Sequence, residues 1–104
     1  MTLSELLVEL KAVDPDTADD IGDIVNVISI MSNGSFSSDA YYPDFIIQGC
    51  IQRACERRGW GFIICNQVAN VCTKTSTYAS EIYDTPAEAL LAAYIAAVWA
   101  EEMR

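Results

Sequence analysis

Two sets of residues in this sequence could do chemistry by type and spacing: four cysteines and a row of aspartates. The cysteines are Cys50, Cys55, Cys65 and Cys72, spaced C-x4-C-x9-C-x6-C. A structural zinc site draws its thiolates from tight C-x2-4-C pairs, and this spacing does not supply two such pairs. A small secreted chain would use an even set of cysteines as disulfides. The start, Met1-Thr2-Leu3-Ser4-Glu5, does not read as an export signal. The expectation is therefore four reduced thiols acting as small buried hydrophobes, with no metal and no cofactor.

The aspartates are Asp16, Asp19, Asp20 and Asp23, at i, i+3, i+4 and i+7, the spacing of one helical face. Paired carboxylates can do acid–base work, but a solvated first turn keeps these ionised. The segment has the acid density of a calcium loop without its pattern, since Gly22 is misplaced and Pro15 starts a helix. Histidine is absent, which excludes His-based acid–base chemistry and His ligands. There is no glycine-rich phosphate loop and no nucleophile motif. The sequence is read as a non-enzyme.

Aspartates near a helix start favour its positive end, by about 0.3–1 kcal/mol each. That gain has faded by Asp23, while like charges at i,i+4 repel. Helix stability alone therefore accounts poorly for the later members. A negative face suits a basic partner and raises its association rate. Tyr41 and Tyr42, in a polar stretch, are candidate anchors beside it, because tyrosine is enriched at interfaces.

The charge balance supports this reading. The 104 residues hold 15 acids against six bases, a net charge of -9, which disfavours direct binding to nucleic acid. Residues 1–44 carry a net -8 and residues 45–104 a net -1. The acidity thus belongs to the N-terminal part.

These side chains need elements to position them. Thr2-x-x-Glu5 with Leu3, Leu6, Leu7 and Leu10 predicts a helix over 3–13. Asp14-Pro15 predicts an N-cap and first-position proline opening a helix to about Ser32, with Ala18, Ile21, Val25 and Ile28 facing inward. Val27 and Ile30 fall beside the acidic face, exposed unless something covers them. Residues 34–43 read as a loop. Pro43-Asp44 opens a third helix, through Arg58, with Gly59 as its C-terminal cap. Strands are expected over 60–66, 71–75 and 77–83, with Gln67 to Asn70 as the hairpin connection. Thr85-Pro86-Ala87-Glu88 starts a last helix, through about Glu102. Trp60 and Trp99 are read as core. The alanine-rich last helix offers close packing, to a neighbour helix or, at Ala93 and Ala97, to a second chain.

The fold expected is α+β: two N-terminal helices, a helix, a small antiparallel meander of two or three strands, and a closing helix. It forms one domain over 1–104, made of an acidic helical part (1–33), a loop (34–43) and an α-β-β-β-α core (44–104). No apolar run reaches the roughly 20 residues of a membrane span, so the expected compartment is the cytoplasm.

Residues 45–104 carry Gly59-Trp60-Gly61-Phe62, then strands, then Thr85-Pro86-Ala87-Glu88-Ala89-Leu90. On these motifs the segment resembles small phage and prophage proteins of the phage ABA sandwich type. The resemblance implies a phage or mobile-element origin and carries no catalytic residue. Double-stranded RNA-binding domains share this element order, but need lysines at the last helix start, where this chain has Asp84 and Glu88. The function expected is a phage-type binding protein. Its acidic face docks on a basic, nucleic-acid-handling host protein and inhibits it, as anti-CRISPR inhibitors do. The alternative is a self-associating accessory protein, a homodimer through Val27, Ile30, Ala93 and Ala97.

Overall fold

In a computed structural model, residues 2–31 and 44–103 are described, with 25–31 described by their backbone. The order is α1 (Leu3–Val13), α2 (Pro15–Met31), α3 (Asp44–Arg58), β1 (Gly61–Cys65), β2 (Val68–Cys72), β3 (Thr77–Ala79) and α4 (Pro86–Glu102). This is the α+β arrangement the sequence predicts.

Local chemistry sets most boundaries. The Thr2 hydroxyl accepts from the Glu5 N–H at 3.2 Å, and the Glu5 carboxylate accepts from the Thr2 N–H at 3.3 Å, a reciprocal cap. Asp14 is a one-residue hinge between helices. Its N–H closes α1 on the Leu10 carbonyl, and its carboxylate accepts from the Thr17 N–H at 3.3 Å to open α2. Gly59 ends α3 in the left-handed region, at φ 72°. Its N–H bonds the Glu56 carbonyl, while the Trp60 N–H reaches the Cys55 carbonyl at 2.9 Å. This pairing is a Schellman motif, which satisfies carbonyls the helix leaves open. Thr85 caps α4, accepting from the Glu88 N–H at 3.2 Å, with Pro86 at the first position.

The sheet is antiparallel, in the order β1-β2-β3. Register pairs Phe62 with Val71, Ile64 with Ala69, and Val71 with Tyr78. These five residues line the face that meets the helices. β2 begins at Val68, three residues before the expected start, so the turn is Asn66-Gln67. Asn66 adopts φ 56°, and asparagine tolerates that left-handed region better than most residues. The expected four-residue connection would have left Ala69 out of the core, where it is fully buried. β3 is also shorter than expected, ending at Ala79. There the Ser80 hydroxyl accepts from the Ala69 N–H at 3.0 Å, taking the place of a ladder carbonyl.

Helix α4 lies between the other layers. It packs on β2 and the rest of the sheet from one side, and on α1 and α3 from the other. Ala87, Ala89, Leu90, Leu91, Ala93, Tyr94, Ala97 and Val98 are buried over more than half of its circumference, and Ala96 and Trp99 stand exposed on the rest. A helix with so wide an apolar face is a core element, and its alanines let the neighbouring backbones approach. α3 adds Ile46, Ile47, Ile51, Ala54 and Cys55, and α1 adds Leu6 and Leu10. Each large aliphatic side chain buried here stabilises by about 1.5–3 kcal/mol.

Two expectations about side chains are corrected. Trp60 packs half-buried against the core, whereas Trp99 is 57% exposed. Trp99 lies on the α4 face that neither the sheet nor α3 covers. Of the cysteines, Cys50 and Cys55 are buried, while Cys65 is exposed and Cys72 half-exposed. The latter two alternate outward in strands whose outer face carries no helix.

Candidate functional site

The acidic face forms as a helical surface. Asp16, Asp19 and Asp23 are exposed on α2, and Asp20 is half-buried beside α3. Arg57 of α3 approaches Asp20 at 3.5 Å, with both side chains about half exposed at 49%. A pair this open contributes little, but it turns Asp20 partly away from any partner. Lys11 of α1 lines the same shallow depression as Asp19 and Asp23. Three of the four predicted carboxylates therefore share an open surface, and the fourth is engaged within the chain. Tyr41 and Tyr42 lie outside the described residues, as do the side chains of Val27 and Ile30. Ala93 and Ala97 are fully buried between the chain's own elements. That removes them from any surface offered to a second copy and leaves Ala92, Ala96 and Ala100 as the alanines of α4 nearer solvent.

A polar cluster that sequence reasoning missed lies deeper. The Asp14 carboxylate accepts from the Thr17 hydroxyl at 2.6 Å, from the Tyr94 phenol, and from Arg58 at 3.3 Å. Arg58 also donates to the Tyr94 oxygen at 2.5 Å. Its remaining edge grips the Glu102 carboxylate in a fork, at 2.7 and 2.9 Å. The guanidinium carbon sits 5.4 Å from the Trp60 ring centre and 5.5 Å from that of Tyr94, in cation–π range. One arginine at the end of α3 thus ties the α1–α2 hinge to the middle and the end of α4.

The electrostatics of the cluster follow from these contacts. Burial pushes the Asp14 carboxyl up, but the Thr17 and Tyr94 hydrogen bonds and the Arg58 charge bring it below its ordinary value. Burial raises the Tyr94 phenol, reinforced by Asp14. The Arg58 fork lowers Glu102. Asp14 is charged, Tyr94 protonated and Arg58 cationic at neutral pH, and every polar group is satisfied. None of the depressions described here is lined by Asp14, Tyr94 or Arg58. The cluster is a structural tie. Two sequence signals pointed to it: a lone tyrosine in an Ala/Leu helix, whose hydroxyl needs a partner when buried, and the Asp14-x-x-Thr17 cap.

A groove of about 380 Å³ runs between α1 and α4. Leu6 and Val13 from α1 and Ala92, Ile95, Ala96 and Trp99 from α4 line it, with Glu9 on the rim and Tyr83 at one end. Beyond Tyr83 the surface turns acidic, at Glu81, Asp84 and Glu88 around the exposed Ile82. α1 separates this groove from the acidic face of α2, since Leu7 and Lys11 look to α2 while Leu6 and Glu9 look to α4.

No group of three or more Cys, Asp or Glu with metal-holding geometry occurs among the described residues. Among them, too, no helix is long and apolar enough to cross a membrane. No family model, curated protein or solved structure matches the chain.

Proposed function

We propose that this chain is a non-enzymatic binding protein whose acidic α2 face docks on a basic, nucleic-acid-handling host protein and blocks it. The observation that carries the reading is the exposure of Asp16, Asp19 and Asp23 together on one side of a regular helix. Carboxylates presented this way steer a positively charged partner into register. A surface built to grip phosphates is such a partner, and an acidic helix occupying it excludes the nucleic acid. With the resemblance of 45–104 to small phage proteins, the action is that of an anti-CRISPR inhibitor in the cytoplasm of an infected bacterium.

The test is capture of the partner by the immobilised protein, with an Asp19→Lys/Asp23→Lys double variant alongside. Both positions are exposed, so the melting temperature should stay near that of the parent while capture falls about tenfold or more. Capture by the parent should also weaken as salt screens the contact. Undiminished capture by the double variant removes this reading.

Self-association is the second reading. One observation favours it: Trp99 in the apolar groove stands 57% exposed, and Val8, in a separate depression on α1, 71%. Light scattering over a concentration series separates the two readings, because a monomer at every concentration eliminates a dimer.

A further inference from the structure

We propose that the groove between α1 and α4 is a docking site for a basic amphipathic segment of a partner protein. Its bulky apolar side chain seats against Ile95 and Trp99, and its lysines or arginines lie at the Glu81–Asp84–Glu88 end. The surface is separate from the α2 face and stands or falls independently of it.

Shape comes first. Ala92 and Ala96 make a low floor one helical turn apart, and Ile95, Trp99 and Tyr83 stand higher around it. From Ala92 to Trp99 the groove follows about 10 Å of α4, two helical turns, and the adjoining acidic depression at Glu88 extends this to about 16 Å, three turns. A volume of about 380 Å³ holds a few large side chains, and the lining that receives them is almost wholly apolar. Trp99 at 57% and Ile82 at 76% exposure mark the two ends as apolar surface that a monomer leaves in water.

Charge then selects the occupant. Glu9 rims the groove, Glu81, Asp84 and Glu88 line the depression that adjoins it at Tyr83, and among the described residues no lysine or arginine lines either. Tyr83, where the two meet, has its phenol pushed up by burial and then by Glu81 and Glu88, the direction expected of a negative field. A second copy of this chain is a poor occupant, because it brings the same carboxylates and a net charge of -9. A segment with an apolar stripe flanked by bases meets both features. An amphipathic helix of about three turns has the matching length.

The probe is a fluorescein-labelled Lys/Leu amphipathic peptide of about three helical turns, ~11 residues. Two control peptides keep its length: one replaces lysine by glutamate, the other leucine by glutamine. The Lys/Leu peptide should bind by anisotropy, with each control weaker by about tenfold or more. Trp99→Ala and Ala96→Lys change exposed positions, and each should weaken binding by a similar factor at an unchanged melting temperature. Three results overturn the proposal. The Lys/Leu peptide fails to bind, or it binds both variants as well as the parent, or Trp99→Ala abolishes a dimer of the parent. If binding survives the groove variants but is lost in Asp19→Lys/Asp23→Lys, the groove is excluded and the α2 reading stands. The reverse pattern keeps the groove and removes the α2 face as the site for this peptide.

Discussion

Tyr94 donates its phenol hydrogen to the carboxylate of Asp14, 80 positions away in the chain. This contact pins the hinge between α1 and α2 to the middle of the most buried helix. Arg58 binds both groups, so the three side chains form a closed triangle.

Removing the phenol oxygen should cost stability without altering the fold. Tyr94→Phe leaves Asp14 with Thr17 and Arg58, so the expected loss is about 1–3 kcal/mol. Asp14→Ala should cost more, because it also deletes the cap of α2, itself worth about 1 kcal/mol. Urea titrations of the two variants and their combination give the coupling, expected between about 0.5 and 3 kcal/mol. Strict additivity would show that the triangle does not act as a unit.

Stability should fall at both extremes of pH. Asp14 and Glu102 have folded-state pKa values below their ordinary ones. The stability they contribute is complete above the unfolded carboxylate value near 4. It is lost as pH falls through the lowered values. At the other end, burial pushes the Cys55 thiol up to about 11. The unfolded chain then ionises first, so stability drops as pH rises from about 9 toward that value. Thermal melts across pH should show a plateau between these limbs. Cys55→Ala should flatten part of the alkaline limb, and an unchanged limb would assign it elsewhere.

The thiols should divide two and two. Cys65 and Cys72 face outward from the sheet, while Cys50 and Cys55 are buried in α3. A thiol reagent under native conditions should label the outer pair first, read by peptide mass mapping. Cys72 pairs with Gly61 and Cys65 with Val68, two rows apart on the outer face. That separation is about 13 Å along the strands, too far for a bridge within one molecule. Equal labelling of all four would contradict the burial described.

Enlarging a buried alanine of α4 should be costly. Ala97→Leu forces three carbons into a site with no exposed surface, and overpacking costs about 1–3 kcal/mol. The same change at Ala96, which is exposed, should leave stability within about 0.5 kcal/mol. Denaturant melts of the pair check it.

The sequence was most legible where the physics is local. Asp14-Pro15, Thr85-Pro86-Ala87-Glu88 and Gly59 mark helix ends through bonds spanning only a few residues, and the helices begin or end at those positions. The spacing of the aspartates likewise fixed a shared helical face. It could not show that Asp20 would be met by Arg57, because that contact depends on how α2 lies on α3. Trp99 read as core for a related reason: hydrophobicity gives a residue's preference, while the face α4 leaves open is decided by α1 and the sheet. The strand error has a local cause. Asn66 can take a left-handed φ without glycine, so two residues sufficed where four were expected.

The position of α4 at the centre also constrains synthesis. Every described element except α2 rests directly on the helix that the ribosome makes last among them. Until residue 86 and beyond have left the exit tunnel, the leucines of α1, the isoleucines of α3 and the inner strand residues lack the cover of α4 and have only one another and α2 to pack on. The nascent chain therefore passes through an interval of exposed apolar surface, when chaperone protection matters most.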